Sequence, residues 1–248
     1  MKALVICHED TLGAGHVEAR LRERGLDVAV LTLVPDATRP DRPAALPDHR
    51  DYDIVVSMGS AWSVYDDDTI GAWIHDEVDL LRDAHDSGTP ALGICFGGQA
   101  LAAALGGEVT KADVTEMGWF EIEAVGDALP IPTGPWLEWH HDCFVPPPGA
   151  ELLATTPDAP QLFRMGRSVG TQFHPEISPE LMTGWLQMAP DDYLAEHGAT
   201  REKLLGDVQA REINNRDNCH ALVDWFVDEV AAGDVVPRAT VIDSTGAS

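Results

Sequence analysis

A cysteine lies where an apolar, strand-like run of the sequence meets a helix-like one. Residues 90–94 predict the strand, glycines surround Cys95, and residues 99–105 predict the helix. At such an elbow the thiol stands at the end of a sheet, where a substrate can reach it. Free backbone N–H groups at the helix start favour negative charge, which stabilises a thiolate and the oxyanion its attack produces. Cys95 is therefore a candidate nucleophile; the alternative is a buried apolar cysteine in a βα unit.

A histidine and a carboxylate follow a second strand-like segment. Residues 168–173 predict a strand, and His174-Pro175-Glu176 comes directly after it. Pro175 favours an extended backbone at His174, so the imidazole can face the sheet edge that carries Cys95. Glu176 can accept a hydrogen bond from the far ring nitrogen and so fix the tautomer. These residues predict a nucleophile, a base and an orienting acid; the alternative is a surface His-Pro turn with a solvated glutamate.

The first half of the chain alternates strand and helix patterns. Apolar runs predict strands at 2–7, 27–33 and 53–58, and helical periodicity is found at 13–24 and 69–87. This alternation predicts an α/β fold, in which a mainly parallel central sheet is covered by helices on both faces.

The second half of the chain changes pattern. Short strands are predicted at 108–110, 118–125 and 151–156, which add antiparallel strands beside the parallel core. Residues 179–231 have a helical pattern, with an interruption expected at Asn214-Asn215. Residues 233–248 lack periodicity and are predicted to form a flexible tail. We therefore expect one domain over residues 1–232.

Composition excludes several classes of function. The chain has 248 residues with 16 basic and 42 acidic side chains, and its net charge of −26 repels a phosphate backbone. Nucleic-acid binding is therefore not expected. No apolar run reaches the length that spans a membrane. The four cysteines show no CxxC pair or zinc-ligand spacing, and no signal peptide is recognisable, so we expect a reduced, cytoplasmic, soluble protein.

Four segments resemble the motifs of the class I glutamine amidotransferases. The elbow at 93–99 reads G-I-C-F-G-G-Q and matches the family pattern G-x-C-x-G-x-Q, and residues 174–176 match its H-P-E. Residues 55–60 are similar to the family's strand and glycine turn, and 139–142 to the segment that carries a His-Gly-Asp. The resemblance runs from about residue 53 to 176. Two positions depart from it, since Ser60 and Gly98 stand where the family often has proline and histidine.

The resemblance implies a fold and a mechanism. The fold would be the flavodoxin-like α/β fold of class I glutamine amidotransferases. A Cys95-His174-Glu176 triad would hydrolyse the side-chain amide of glutamine through a γ-glutamyl thioester. The backbone N–H groups of Gly59 and Phe96 would form the oxyanion hole, since a residue without Cβ lets the backbone approach the substrate.

The resemblance also implies residues that bind the substrate. Gln99 would position it, the alternative being a helix residue that faces solvent. His140 and Asp142 would contribute to the pocket, as would His141; the alternative is a polar surface loop. No metal and no cofactor are required by this chemistry.

Ammonia released by such a reaction would need an acceptor. The chain contains neither a phosphate-binding loop of the Gly-x-x-x-x-Gly-Lys-[Ser/Thr] kind nor the Ser-Gly-Gly-x-Asp-Ser loop of GMP synthetases. The resemblance is therefore to free-standing, GMP-synthase-like amidotransferases that supply a separate synthetase or acceptor subunit. One alternative is a γ-glutamyl peptidase that acts on an amide other than glutamine. A non-catalytic regulatory or binding module is the other, and the intact triad argues against it.

Overall fold

Parallel strands form the centre of the molecule. The structure, a computed structural model, describes residues 1–9 and 13–233. Its strands are β1 (Lys2–Glu9), β2 (Asp27–Val34), β3 (Ile54–Ser57), β4 (Ala91–Ile94), β5 (Glu108–Phe120), β6 (Glu123–Ala124), β7 (Trp136–Val145), β8 (Glu151–Thr155), β9 (Pro160–Met165) and β10 (Ser168–Thr171). Its α-helices are α1 (Gly15–Glu23), α2 (Asp67–Ile70), α3 (Ile74–Ser87), α4 (Phe96–Ala104), α5 (Pro179–Met188), α6 (Asp191–Glu196) and α7 (Arg201–Trp225). A 3₁₀ turn lies at His49–Asp51, and a π-helical turn at Phe226–Val230 continues α7.

The strand order brings the two chemical segments together. Within the described residues one sheet has the order β2-β1-β3-β4-β10-β9-β8-β6, and β5 and β7 pair separately. Strands β2, β1, β3, β4 and β10 run parallel, while β9, β8 and β6 are antiparallel. The expected α/β fold with added antiparallel strands is confirmed. Because β10 lies beside β4 with Thr171 opposite Ile94, the residues that follow both strands meet at one sheet edge.

Helices cover both faces of this sheet. On one face Val5 and Val56 pack in a cluster with Leu222 and Phe226 of the C-terminal helical region. On the other face the core contains residues of α3 and α4, including Leu81. Burial on both sides explains why the central strands are continuous apolar runs rather than alternating ones. None of the described helices combines the length and the hydropathy that a membrane crossing requires.

Two regions with a predicted helical pattern are each divided into shorter helices in the structure. The region 69–87 separates into α2 and α3, with Gly71 at the end of α2. The region 179–231 breaks near Pro190 and again before Thr200, whose side chain caps α7. The interruption expected at Asn214-Asn215 is wrong, because α7 runs through both residues. Asn215 is buried, and its amide donates to the carbonyl oxygens of residues 175 and 177 at 3.3 and 2.8 Å.

Two predicted strand boundaries are also corrected. The segments 108–110 and 118–125 are largely one long strand, β5, which pairs antiparallel with β7 and has an irregular register between Lys111 and Glu116. Residues 139–142 belong to strand β7, so the alternative of a polar surface loop does not hold for them. Apart from residue 233, the expected tail lies outside the described residues, and the single domain over 1–232 stays a prediction.

Candidate active site

The elbow forces Cys95 into a strained backbone conformation. Cys95 separates β4 from α4 with φ of 50°, and no other non-glycine residue in the described ranges has a positive φ. Such a conformation costs about 1–3 kcal/mol and must be held by its surroundings. The Cys95 N–H donates to Thr171 O at 2.9 Å, and the Gly97 N–H donates to Met58 O at 3.0 Å. These bonds fasten the elbow to the ends of β10 and β3.

The glycines of the elbow allow this close approach. A Cβ on Gly97 would lie 2.1 Å from Ser57 O, and one on Gly98 would lie 2.4 Å from Thr171 O. Both distances are too short for non-bonded atoms. The histidine that the family often has at the position of Gly98 would not fit this backbone without a shift of the elbow.

His174 is held from several sides just beyond β10. Its Nδ1 donates to Glu176 Oε1 at 2.8 Å, and its backbone N–H donates to Leu137 O at 2.8 Å. Its ring packs edge-on against Trp185, with centroids 4.9 Å apart. The Glu176 carbonyl accepts from the His16 N–H at 3.0 Å, which ties this segment to the start of α1. The imidazole is therefore fixed with Nδ1 toward the acid and Nε2 available for a partner.

Cys95 is the neighbour that acts most strongly on this ring. Burial disfavours a charged imidazole here, but the electrostatic attraction of Cys95 and of the Glu176 carboxylate outweighs it. They raise the pKa of His174 well above 6.5. Gln172 Nε2 donates to Cys95 Sγ at 3.5 Å. The arrangement suits a thiolate beside an imidazolium, the reactive form of cysteine in acyl transfer. Gln172 was not predicted; its place two residues before His174 in an extended segment was the available signal.

Gly59 lies against both reactive groups. A Cβ on it would be 2.9 Å from His174 Cε1 and 3.8 Å from Cys95 Cβ. The peptide groups on either side of Gly59 are held, because Met58 O accepts from Gly97 and Gly59 O accepts from His8 Nδ1 at 3.2 Å. Phe96 is the first residue of α4, where backbone N–H groups have no partner within the helix.

A buried ion pair behind Gly59 was missed at the sequence level. His8 Nε2 lies 2.9 Å from Glu77 Oε2, and the Ser57 hydroxyl donates to Glu77 Oε1 at 2.7 Å. Burial lowers the pKa of His8, but Glu77 more than compensates and the pKa is raised. The signal was present in α3, where Glu77 falls on the apolar stripe between Ile74 and Leu81.

The predicted substrate contacts face away from the cavity. Gln99 is buried, and its Nε2 donates to Asp142 O at 3.0 Å and Gln172 Oε1 at 3.3 Å. The His140 and Asp142 side chains are also buried, and Asp142 accepts from two hydroxyl groups of the loop after β3. Alternate residues of a strand point to opposite sides, so Trp139 and His141 line the cavity instead. None of Gln99, His140 and Asp142 is among the described residues that line the cavity.

His140 lies at the centre of a buried charged cluster. Its Nε2 is 3.0 Å from Glu116 Oε2 and 3.3 Å from Glu138 Oε2, and its Nδ1 donates to Asp142 O at 3.0 Å. Burial lowers the pKa of His140, but hydrogen bonds to the two glutamates raise it to about 10. Burial raises the pKa of Glu138 to about 7. These three side chains place ligand-type atoms within 4.8 Å of one another, as a metal site would. However, both ring nitrogens already face protein acceptors, and the raised pKa favours a protonated ring, which has no lone pair for a metal.

A cavity of about 330 Å³ opens beside the reactive groups. Gly59, His174 and Glu176 line one end of it, and Cys95, itself 4% exposed, lies behind this end and interacts with His174. The opposite wall comes from β7, α5 and α6 and is largely apolar and aromatic. It contains Trp139, Leu181, Trp185, Met188, Pro190 and Tyr193.

The remaining thiols have different surroundings. Cys7 also lines the cavity, but burial and nearby carboxylates raise its pKa to about 12. Burial raises the pKa of Cys219 well above 9. Both therefore remain protonated near neutral pH, and a protonated thiol is a poor nucleophile.

Comparison with known proteins identifies the family. The chain belongs to the class-I glutamine amidotransferase family, whose model matches residues 15–187. The glutamine-hydrolyzing GMP synthase of Aeropyrum pernix is 32% identical over 216 residues, 78% of this chain and 39% of that protein. A shorter relative, one subunit of the glutamine-hydrolyzing GMP synthase of Sulfurisphaera tokodaii, is 28% identical over 169 residues, 63% of this chain and 80% of that relative.

A solved structure supports the same assignment. The crystal structure of a glutamine amidotransferase from Thermotoga maritima has a TM-score of 0.78 at 26% identity, and the match covers 92% of this chain and 98% of that one. The resemblance drawn from the four motifs is thus confirmed. The chain spans only 39% and 23% of the length of the two curated GMP synthases that it matches first.

Proposed function

We propose that this protein hydrolyses the side-chain amide of glutamine, with Cys95 as nucleophile, His174 as base and acid, and Glu176 as the orienting group. The observation that carries the proposal is the buried chain of interactions from Cys95 to the His174 ring, and from its Nδ1 to Glu176 at 2.8 Å. It joins three residues from two adjacent parallel strands at the carboxyl edge of the sheet, beside a cavity.

The chemistry follows from this geometry. The Cys95 thiolate attacks the amide carbon, and the backbone N–H groups of Gly59 and Phe96 receive the developing oxyanion. As the C–N bond breaks, the nitrogen takes the electron pair and a proton from the His174 imidazolium, and it leaves as ammonia. Water then attacks the thioester and His174 accepts its proton; the C–S bond breaks, glutamate is released, and the Cys95 thiolate and the His174 imidazolium are restored. Glu176 keeps the imidazole in one tautomer throughout.

Ammonia released here would serve a separate acceptor. The match covers 80% of a relative that is named as one subunit of a GMP synthase. We therefore propose that the partner is a synthetase subunit and that the pair is cytoplasmic. Gln99 contributes by positioning Gln172 and strand β7 rather than by touching substrate. A purely regulatory module is disfavoured, because such a module has no need for a nucleophile, base and acid in contact.

The test compares two cysteines of the same chain. Cys95→Ala is expected to abolish glutamine hydrolysis with the thermal unfolding midpoint retained, while Cys143→Ala, at a half-exposed position on β7, keeps full turnover. A diazo-ketone analogue of glutamine is expected to label Cys95 and to spare Cys7 and Cys219. Turnover that survives in Cys95→Ala, or labelling at another thiol, would overturn the assignment.

A second candidate is supported by the cavity. A γ-glutamyl amide with a larger amine than ammonia would use the same thioester chemistry. The apolar wall beyond His174 is surface that glutamine does not require, and it favours this candidate.

A further inference from the structure

The side of the cavity that receives the leaving group can be located from His174. In the proposed reaction the imidazole passes its proton to the departing nitrogen. Nδ1 is bonded to Glu176, so Nε2 must make this transfer. Trp185 packs edge-on against the same ring, with centroids 4.9 Å apart. A substituent on the departing nitrogen therefore lies next to Trp185.

Trp185 begins an aromatic wall. Its indole packs edge-on against Trp139 at 6.0 Å, and Tyr193 lines the same cavity. These rings are half-buried and line the cavity. Ammonia has no carbon atoms to contact them. Apolar surface removed from water contributes roughly 25 cal/mol per Å², so a bound group with carbon surface would gain here what ammonia cannot.

The volume of the cavity also favours a substrate with a carbon-containing group on the amide nitrogen. The cavity holds about 330 Å³, which falls at the lower end of the range of roughly 300–1,000 Å³ for sites that enclose drug-sized molecules. Glutamine is considerably smaller than such molecules. An aromatic ring joined to the amide nitrogen by a short linker would occupy the remainder.

Charge restricts the substituent further. Glu9 and Glu176 line the cavity, and among its described lining residues there is no Lys or Arg. The whole chain carries a net charge of −26. A carboxylate on the amine side would enter this field with no Lys or Arg among those residues to pair with, and His174 is already paired with Glu176, so its burial in a partly dehydrated site is unfavourable.

We propose that the cavity next to His174 accepts γ-glutamyl amides of aromatic amines that lack a carboxylate, and that these are better substrates than glutamine. This inference rests on the proposed function, because it assigns the leaving-group side from the role of His174. It excludes γ-glutamyl amino acids as preferred substrates. The products are glutamate and the free aromatic amine, and the second step consumes one water.

The experiment uses three substrates of the full chain, and two of them form a matched pair. γ-Glutamyl-phenethylamide and γ-glutamyl-phenylalanine differ only by a carboxylate, and L-glutamine is the reference. We expect kcat/KM for the phenethylamide to exceed that for each of the others by at least tenfold. Tyr193→Ala is expected to lower the ratio of phenethylamide to glutamine kcat/KM about tenfold, whereas Tyr52→Ala, outside the cavity, leaves the ratio unchanged. A ratio is independent of the folded fraction of each variant.

The outcomes separate this inference from the proposed function. Hydrolysis of glutamine without hydrolysis of the phenethylamide would overturn the inference and leave the proposed function standing. Equal rates for the phenethylamide and γ-glutamyl-phenylalanine would also overturn it, as would an unchanged ratio in Tyr193→Ala. If no substrate is turned over and the diazo-ketone leaves Cys95 unlabelled, the proposed function itself fails.

Discussion

Replacing Gly59 by alanine tests whether the His174 imidazole is fixed in a single position. Gly59 does not have a positive φ, so alanine is compatible with its backbone and the effect is purely steric. The new methyl carbon would lie 2.9 Å from His174 Cε1 and 3.4 Å from its Nδ1. Carbon atoms are at optimal separation at about 3.5–4.0 Å. The ring must therefore move by roughly half an ångström or more.

The ring cannot make this movement freely. Its Nδ1 is bonded to Glu176, one side packs against Trp185, and the backbone N–H is bonded to Leu137. Moving the ring therefore changes its position relative to Cys95. A misplacement of 1 Å can cost about 10²-fold in rate, so we expect kcat to fall by about tenfold for half that distance. Overpacking is also expected to lower the free energy of unfolding by about 1–3 kcal/mol.

Steady-state hydrolysis and urea unfolding measure the two effects. Gly206→Ala is the matched control, because it makes the same chemical change in α7 where nothing lies within 4 Å of the new Cβ. It is expected to leave kinetics unchanged and to stabilise the helix by up to about 1 kcal/mol. A Gly59→Ala protein with unaltered kcat and unaltered stability would show that the imidazole has room to move, and the steric argument would be refuted.

Two further predictions concern buried polar groups. Asn215→Ala removes both donors to the carbonyls of Pro175 and Ile177, and it is expected to lower the free energy of unfolding by about 2 kcal/mol and to reduce kcat. Asn214→Ala, at an exposed position of the same helix, is the control. Equal effects of the two variants on urea unfolding would contradict the prediction. The pKa of His140 is raised to about 10, so the stability from its charge is complete below pH 6.5 and is lost as pH rises through about 10. The free energy of unfolding of wild type should thus decline more steeply from pH 6.5 to 10 than that of His140→Gln, and parallel curves would count against a buried imidazolium.

The elbow was predictable because its signals are local. A strand-like run, a glycine-rich turn and a helix-like run are contiguous around Cys95, and the geometry follows from these few residues. The meeting of Cys95 with His174 depends instead on β10 lying beside β4, and strand order leaves no local signature in the sequence. The pairing of Cys95 with His174 was therefore predicted from the motif resemblance and not from periodicity.

The errors have a common physical origin in long-range pairing. The motif resemblance at 139–142 carried no information on the alternation of β7, so His140 and Asp142 were expected in the pocket together with His141, whereas Trp139 and His141 line it. Asn215 looks like a weak point of a helix in the sequence, because its two acceptors lie about 40 residues away. A polar residue inside a helical pattern is informative only when its tertiary partner is known.

The attachment of the segment at 175–177 has a consequence for biosynthesis. Its backbone is bonded on one side to the N–H of His16 and on the other to the amide of Asn215, which belong to the first and the last long helix of the described chain. A nascent chain that has left the ribosome only as far as residue 200 already contains Cys95, His174 and Glu176. It still lacks the hydrogen bonds from Asn215, so we expect the segment to be held on both sides only after α7 has emerged and docked.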